Sequence, residues 1–176
     1  LAASLIEAGD IVFINSGTTA TQVLQHIRKD PSITIFTNNV NAALELGDPG
    51  FHYCLIGGEF QSRSNSLAGR FAMENLGQIY ANKAFLGVDG ISAKHGCTVP
   101  TDPEAEVVRR MIERTKGQII VVADHSKWGV VSNFQVASID EVDKLISDDG
   151  LASSAIESLA AHGVSCLLAS TPSSPA

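Results

Sequence analysis

Short apolar, β-branched runs alternate with helical spacings along nearly the whole chain. The run Asp10-Ile-Val-Phe-Ile-Asn15, entered through Gly9, predicts a buried strand. From Thr19 to Ile27 the spacing puts Val23, Leu24 and Ile27 on one helical face. A strand at 33–37, a helix over 40–46 closed by Gly47 and a strand at 53–56 ending in Gly57-Gly58 follow. Another strand spans 83–87, and a long loop carrying Gly87, Gly90 and Gly96 leads to a helix from Pro103 to about Lys116. That helix has proline in its first turn and Glu104 and Glu106 near its positive end. The most hydrophobic strand is 118–123, and a strand at 144–147, a helix over 151–162 and a strand at 164–168 complete the pattern. Residues 170–176 are Ser/Pro-rich and expected to fray.

Strands that are apolar on both faces and alternate with helices imply an α/β fold: a mostly parallel sheet with helices on both faces. No internal repeat or interior linker interrupts residues 1–169, which read as one domain. The first residue is Leu1, inside a helical pattern extending to Ala8, so the chain is expected to be a fragment of a longer protein. In such sheets ligands bind beyond the carboxyl ends of the strands, which directs attention to the loops that follow them.

Composition narrows the possibilities. With 44% hydrophobic and 18% charged residues in 176, the chain is able to bury a core, which excludes disorder. Its 12 basic and 19 acidic side chains, net −7, argue against DNA binding by this segment, and no Lys/Arg cluster offsets that field. No stretch is long and apolar enough to cross a membrane. Cys54, Cys97 and Cys166 are widely spaced and form no CxxC pair, which fits a reducing cytoplasm better than a disulfide framework.

The chemistry sits at strand ends. Ser16-Gly17-Thr18-Thr19 joins the first strand to a helix, and combines hydroxyls, a turn-permitting glycine and free helix-start N–H groups into an anion cradle. It carries neither a Walker lysine nor a GxGxxG spacing, and simple helix capping is an equal reading. Thr37-Asn38-Asn39 occupies the equivalent place after the second strand, where capping is the commoner outcome. Gly57-Gly58 permits a close backbone approach. Asp89, between two glycines, is suited to hydroxyl recognition, to acid–base work or to an Asx turn. In Asp124-His125-Ser126-Lys127 successive side chains diverge, so no catalytic triad forms; Lys127 is a cation able to meet an anionic ligand. Trp128 beside it either walls the same pocket or packs. His26, His52, His95 and His162 are scattered, and no metal site or cofactor is expected. Arg109 and Arg110 lie mid-helix, on a solvated face or a subunit contact.

Five strings in order make the sequence recognisable: Glu7-Ala-Gly-Asp-Ile-Val-Phe-Ile-Asn-Ser-Gly-Thr-Thr19, Thr37-Asn-Asn39, Ile56-Gly-Gly58, Lys83-Ala-Phe-Leu-Gly-Val-Asp-Gly-Ile91 and Val122-Ala-Asp-His-Ser-Lys-Trp-Gly129. Together they resemble the C-terminal sensor domain of the DeoR family of bacterial sugar-metabolism repressors. The resemblance implies a Rossmann-like fold related to ribose-5-phosphate isomerase. It also implies a homo-oligomer, dimer or tetramer, and an N-terminal winged helix-turn-helix, absent from this sequence, that binds operator DNA. A phosphorylated sugar or related metabolite is the implied effector, released repression the implied response, and no catalysis is implied. Ser16, Gly17, Thr18 and Thr19 would hold the phosphate. Thr37, Asn38, Asn39, Gly57 and Gly58 would border the pocket, Asp89 and Lys127 would contact the sugar, and Glu104 would close the far side. Val108 stands where many relatives carry lysine, a departure on that helix. Two rivals remain. One is a sugar-phosphate isomerase or deaminase using Asp89, Glu104 and Lys127; the other is an oligomerisation module whose loop only caps a helix.

Overall fold

A computed structural model describes residues 1–170. A single 3-10 turn, Ala2–Leu5, replaces the helix expected to reach Ala8. Strand β1 (Ile11–Ile14) leads into α1 (Thr18–Gln25), β2 (Thr34–Thr37), α2 (Val40–Glu45) and β3 (His52–Leu55). A hairpin of β4 (Glu59–Gln61) and β5 (Ser66–Ala68) precedes α3 (Arg70–Gly77) and β6 (Ala81–Gly87). Next come β7 (Gly90–Ser92), β8 (Gly96–Val99), α4 (Asp102–Glu113), β9 (Thr115–Val122) and β10 (Phe134–Ala137). The chain ends with β11 (Lys144–Asp148), α5 (Ser153–Ala161) and β12 (Ser165–Ala169). The segment expected to fray, 170–176, lies outside the described residues except for Ser170.

Seven strands form one sheet in the order β12-β11-β9-β6-β1-β2-β3, and every pairing in it is parallel. The chain moves outward from β1 to β3, returns to the other side of β1 at β6, then moves outward again to β12. The direction of winding therefore switches between β1 and β6, and adjacent crossovers diverge there to leave a crevice.

Strand alternation builds two cores. Phe13, Ala84, Leu86, Ile119, Val121 and Leu145 point to one face, where α3, α4 and α5 supply Leu76, Met111 and Leu159. Val12, Ile14, Phe85, Ile120, Val122 and Ile146 point to the other, against Val23 and Leu24 of α1 and Ala42 of α2. Each large side chain taken fully from water contributes roughly 1.5–3 kcal/mol, so the two faces hold the layers together. At the amino ends of β1 and β6, Lys83 Nζ donates to Leu5 O, Glu7 and Asp10 at 2.9, 3.0 and 2.7 Å.

Two segments depart from the pattern reading. The expected long loop after Gly87 is instead the β7–β8 hairpin, which pairs antiparallel with β10. Residues 59–77, to which the pattern assigned no element, hold the β4–β5 hairpin and α3. Both hairpins use strands of three or four residues, too short for alternation to register.

A crevice at the switch point

The carboxyl ends of β1 and β6 meet through Asn15. Its amide donates to Gly87 O (2.8 Å) and accepts from the Gly87 N–H (2.7 Å). Beyond it Gly17 is the residue at the start of α1, with φ 134° and ψ 157°, and no side chain caps the helix. The capping reading of this loop therefore fails: neither Ser16 nor Thr18 is spent on the helix, and its first-turn N–H groups stay available.

These groups open on a cavity of about 760 Å³. Its walls come from Asn15, Ser16, Gly17 and Thr18, from Asn38 and Asn41 around the start of α2, and from Gly87 and Asp89 after β6. Glu104 and Val108 of α4, Arg63, Ser64 and Asn65 at the β4–β5 hairpin tip, and Val130, Val131 and Ser132 before β10 close it. Thr21, Gln22 and Glu45 complete the α1–α2 side.

Two acceptors in this wall lack donors. Asn38 is 2% exposed and its Oδ1 has no hydrogen-bond partner. Its orientation is set because Nδ2 donates to Leu67 O at 3.0 Å, so rotating the amide would press oxygen against oxygen. Glu104 Oε2 is likewise buried and unpartnered. Buried acceptors without donors are costly, and both of these belong to residues of the cavity wall.

Of the residues singled out from sequence, Ser16, Gly17, Thr18, Asn38, Asp89 and Glu104 share the cavity wall. The other six are not in it. Thr19, on the first turn of α1, is half-buried. Thr37 is fully buried and accepts from the Asn39 N–H at 3.1 Å. Asn39 caps α2 by accepting from Ala42 N–H (3.2 Å) and donates to Thr21 Oγ1 (2.8 Å), so here capping is the outcome. Gly57 and Gly58 follow β3; a β-carbon on Gly58 would collide with the Ala68 carbonyl, so its bareness serves the hairpin. Lys127 ends a 3-10 turn, His125–Lys127, outside the cavity. Trp128 packs against the core and bridges Ile91. Arg109 holds β10 through Gln135 O at 3.0 and 2.6 Å. Val108 gives the wall an apolar, 2% exposed side chain.

Sequence reasoning missed Arg63, Ser64 and Asn65. The turn-prone Ser62-Arg-Ser-Asn65, with Asn65 at φ 46°, was the available hairpin signal. It also missed a group on the β9 and β11 ends: Asp124, His125 and Asp148 bring ligand atoms within 4.8 Å of one another. Their bonds are accounted for locally. Asp148 accepts from His125 N–H and Nδ1, and Asp124 accepts from Ser126 N–H; the Ser126 hydroxyl first, then its N–H, holds the Asp124 carboxyl below the usual range against the opposing effect of burial.

An α/β domain whose seven-stranded sheet is wholly parallel, with an uncapped helix start opening on a cavity at its switch point, is the class that fold and site define. The model of the DeoR C-terminal sensor domain matches residues 1–149, and the chain belongs to that family. It is 39% identical over 149 residues to the HTH-type transcriptional repressor GlcR of Bacillus subtilis, covering 84% of this chain and 57% of that protein. It is 32% identical over 168 residues to a putative aga operon transcriptional repressor of Escherichia coli O157:H7, covering 95% and 62%. To the HTH-type transcriptional regulator GlpR of Haloferax volcanii it is 32% identical, covering 89% and 61%. The chain thus spans less than two thirds of the length of these relatives. Among solved structures, a ribose-5-phosphate isomerase in complex with phospho-erythronic acid matches at TM-score 0.51 and 14% identity, covering 72% of this chain and 51% of that one. The Pyrococcus horikoshii translation initiation factor eIF-2B matches at TM-score 0.51 and 17% identity, covering 75% and 46%. These likenesses bear out the Rossmann-like expectation for the fold. No helix among the described residues is long and apolar enough to cross a membrane.

Proposed function

We propose that the domain is the effector-sensing part of a cytoplasmic transcriptional regulator, and that its crevice binds a phosphorylated sugar or related metabolite. The observation that carries this reading is the union, in one cavity, of an uncapped helix start and two unpartnered buried acceptors. Donors suit a phosphate; acceptors suit hydroxyls. Ser16, Gly17 and Thr18 hold the phosphate, with Thr19 behind them on the same turn. Asn38, Asp89 and Glu104 receive sugar hydroxyls. Thr37 and Asn39 brace that wall, Gly57 and Gly58 let the hairpin approach, and Lys127 adds a more distant positive charge.

Operator DNA is contacted by a winged helix-turn-helix elsewhere in the full-length protein, within a homo-oligomer. The family name of the sensor domain and the regulator names of the relatives support this division. Effector binding alters operator affinity through a coupling free energy, typically ~1–3 kcal/mol, and we assign the effector to release. The test is a thermal-shift panel of sugar phosphates, with unphosphorylated sugars and inorganic phosphate as controls. A ligand at a hundred times its dissociation constant adds about 2.7 kcal/mol, readable as a rise of several degrees. A rise with phosphorylated sugars, larger than that with inorganic phosphate and missing with unphosphorylated sugars, is expected. No rise across the panel would sink the reading, and turnover of a hit would move the domain to the isomerase or deaminase class.

A further inference from the structure

The hydroxyls and N–H groups of the α1 loop carry no net charge. A phosphate monoester brings about −1.5 to −2 at neutral pH. The cavity it enters is lined by the carboxylates of Glu45, Asp89 and Glu104, so its field opposes that charge. Among the described residues lining the cavity, Arg63 is the single cation.

Arg63 reaches the cavity from another part of the chain, on the β4–β5 hairpin. The root of that hairpin is pinned to the residues entering α2. Leu67 N–H donates to Asn38 O at 2.9 Å, Asn38 Nδ2 to Leu67 O at 3.0 Å, and Val40 N–H to Asn65 O at 3.0 Å. Ser64 and Ser66 share a hydroxyl contact of 2.8 Å that stiffens the returning strand. The tip is left free: Arg63 is exposed, and among the described residues its guanidinium makes no hydrogen bond or ion pair. A planar fork of donors with no protein partner, facing an acidic cavity with an anion cradle, is matched to a phosphate.

We infer that Arg63 is the counter-cation for the ligand's phosphate, delivered by the β4–β5 hairpin tip opposite the α1 loop. This rests on the phosphate reading above. Pairing neutralises the charge that the three carboxylates would otherwise repel. It also ties the hairpin to the occupancy of the pocket, because the same hairpin packs on α2, α3 and α4.

The test is a titration of the protein with inorganic phosphate, followed by backbone amide and arginine Nε–H nuclear magnetic resonance. It is run on the wild type, Arg63→Gln, Arg63→Lys and Arg28→Gln. The last removes the same charge from an exposed arginine paired with Asp30, outside the pocket. The expected result is movement of the Gly17–Thr19 amides and the Arg63 Nε–H together. Phosphate affinity falls about tenfold or more in Arg63→Gln, is partly kept in Arg63→Lys, and is unchanged in Arg28→Gln. Movement of the α1 amides with unaltered affinity in Arg63→Gln would overturn the role of Arg63 and leave the phosphate cradle standing. No movement of the α1 amides in the wild type would overturn both.

Discussion

Asn15 and Gly87 exchange two hydrogen bonds across the switch point, at 2.8 and 2.7 Å, so a side chain continues the β1–β6 ladder one step past the end of β1. Asn15 is 4% exposed, and the pair ties together the two strand ends that line the crevice. Few other side chains fit. The position needs one donor and one acceptor at the spacing of a peptide unit, and the asparagine amide supplies both.

Replacing Asn15 with alanine strips both Gly87 groups of their partners. A loss of about 1–3 kcal/mol is expected, read as a lower urea midpoint with an unchanged slope. Asn15→Asp keeps the acceptor but sets a carboxylate against the Gly87 carbonyl, so it is destabilised at neutral pH and regains stability on acidification.

Gly17 adopts backbone angles essentially reserved for glycine, although a β-carbon there would meet nothing within 4 Å. The cost of Gly17→Ala is therefore conformational rather than steric against neighbours, roughly 1–3 kcal/mol. The loop relaxes by turning its peptide away from the cavity. Loss of phosphate affinity beyond that seen in Ser16→Ala is the expected readout.

Glu104→Gln removes a charge from a buried oxygen that has no donor. The variant is expected to be at least as stable as the wild type in the absence of ligand, in contrast to most buried substitutions. Binding of the sugar phosphate found by the panel is expected to weaken, since the amide is a poorer acceptor. A large drop in melting temperature without ligand would show that Oε2 is a structural group.

Burial opposes the charge on Lys83, but the hydrogen bonds and attraction of Asp10 and Glu7 outweigh it, and its ammonium is held above the usual 10.5. A raised native value means that the contribution is complete below about pH 10.5 and is lost as pH climbs through the native value. Lys83→Met is accordingly less stable than the wild type at neutral pH. The gap in urea midpoint narrows as pH rises above 10.5. A gap that stays constant over that range would show that the methylene packing of Lys83, not its charge, is what matters.

The strands were legible because their signal is local. β1, β6 and β9 are apolar on both faces, and only burial between two helical layers satisfies such a run. The Ser16–Thr18 loop was legible for the same reason, as hydroxyls around a glycine directly after a strand. Thr37 and Asn39 look identical in kind, yet one is sealed in the core and the other is a helix cap. The Asn39 cap is local, three residues along the chain, whereas the burial of Thr37 and the bond from Asn39 to Thr21, 18 residues away, are set by tertiary packing.

Sequence by itself determined the class of fold, the glycine-hydroxyl loop after β1 and the family, because periodicity, turn chemistry and ordered motifs are carried by contiguous residues. Tertiary structure alone decided that Arg63 lines the same cavity as that loop, that Asn38 and Glu104 of its wall keep unpartnered buried acceptors, and that Lys127 stands outside it. Those outcomes depend on strand order and on a short hairpin folded back over α2. They are long-range pairings, and their energy is gained only once the whole sheet has closed.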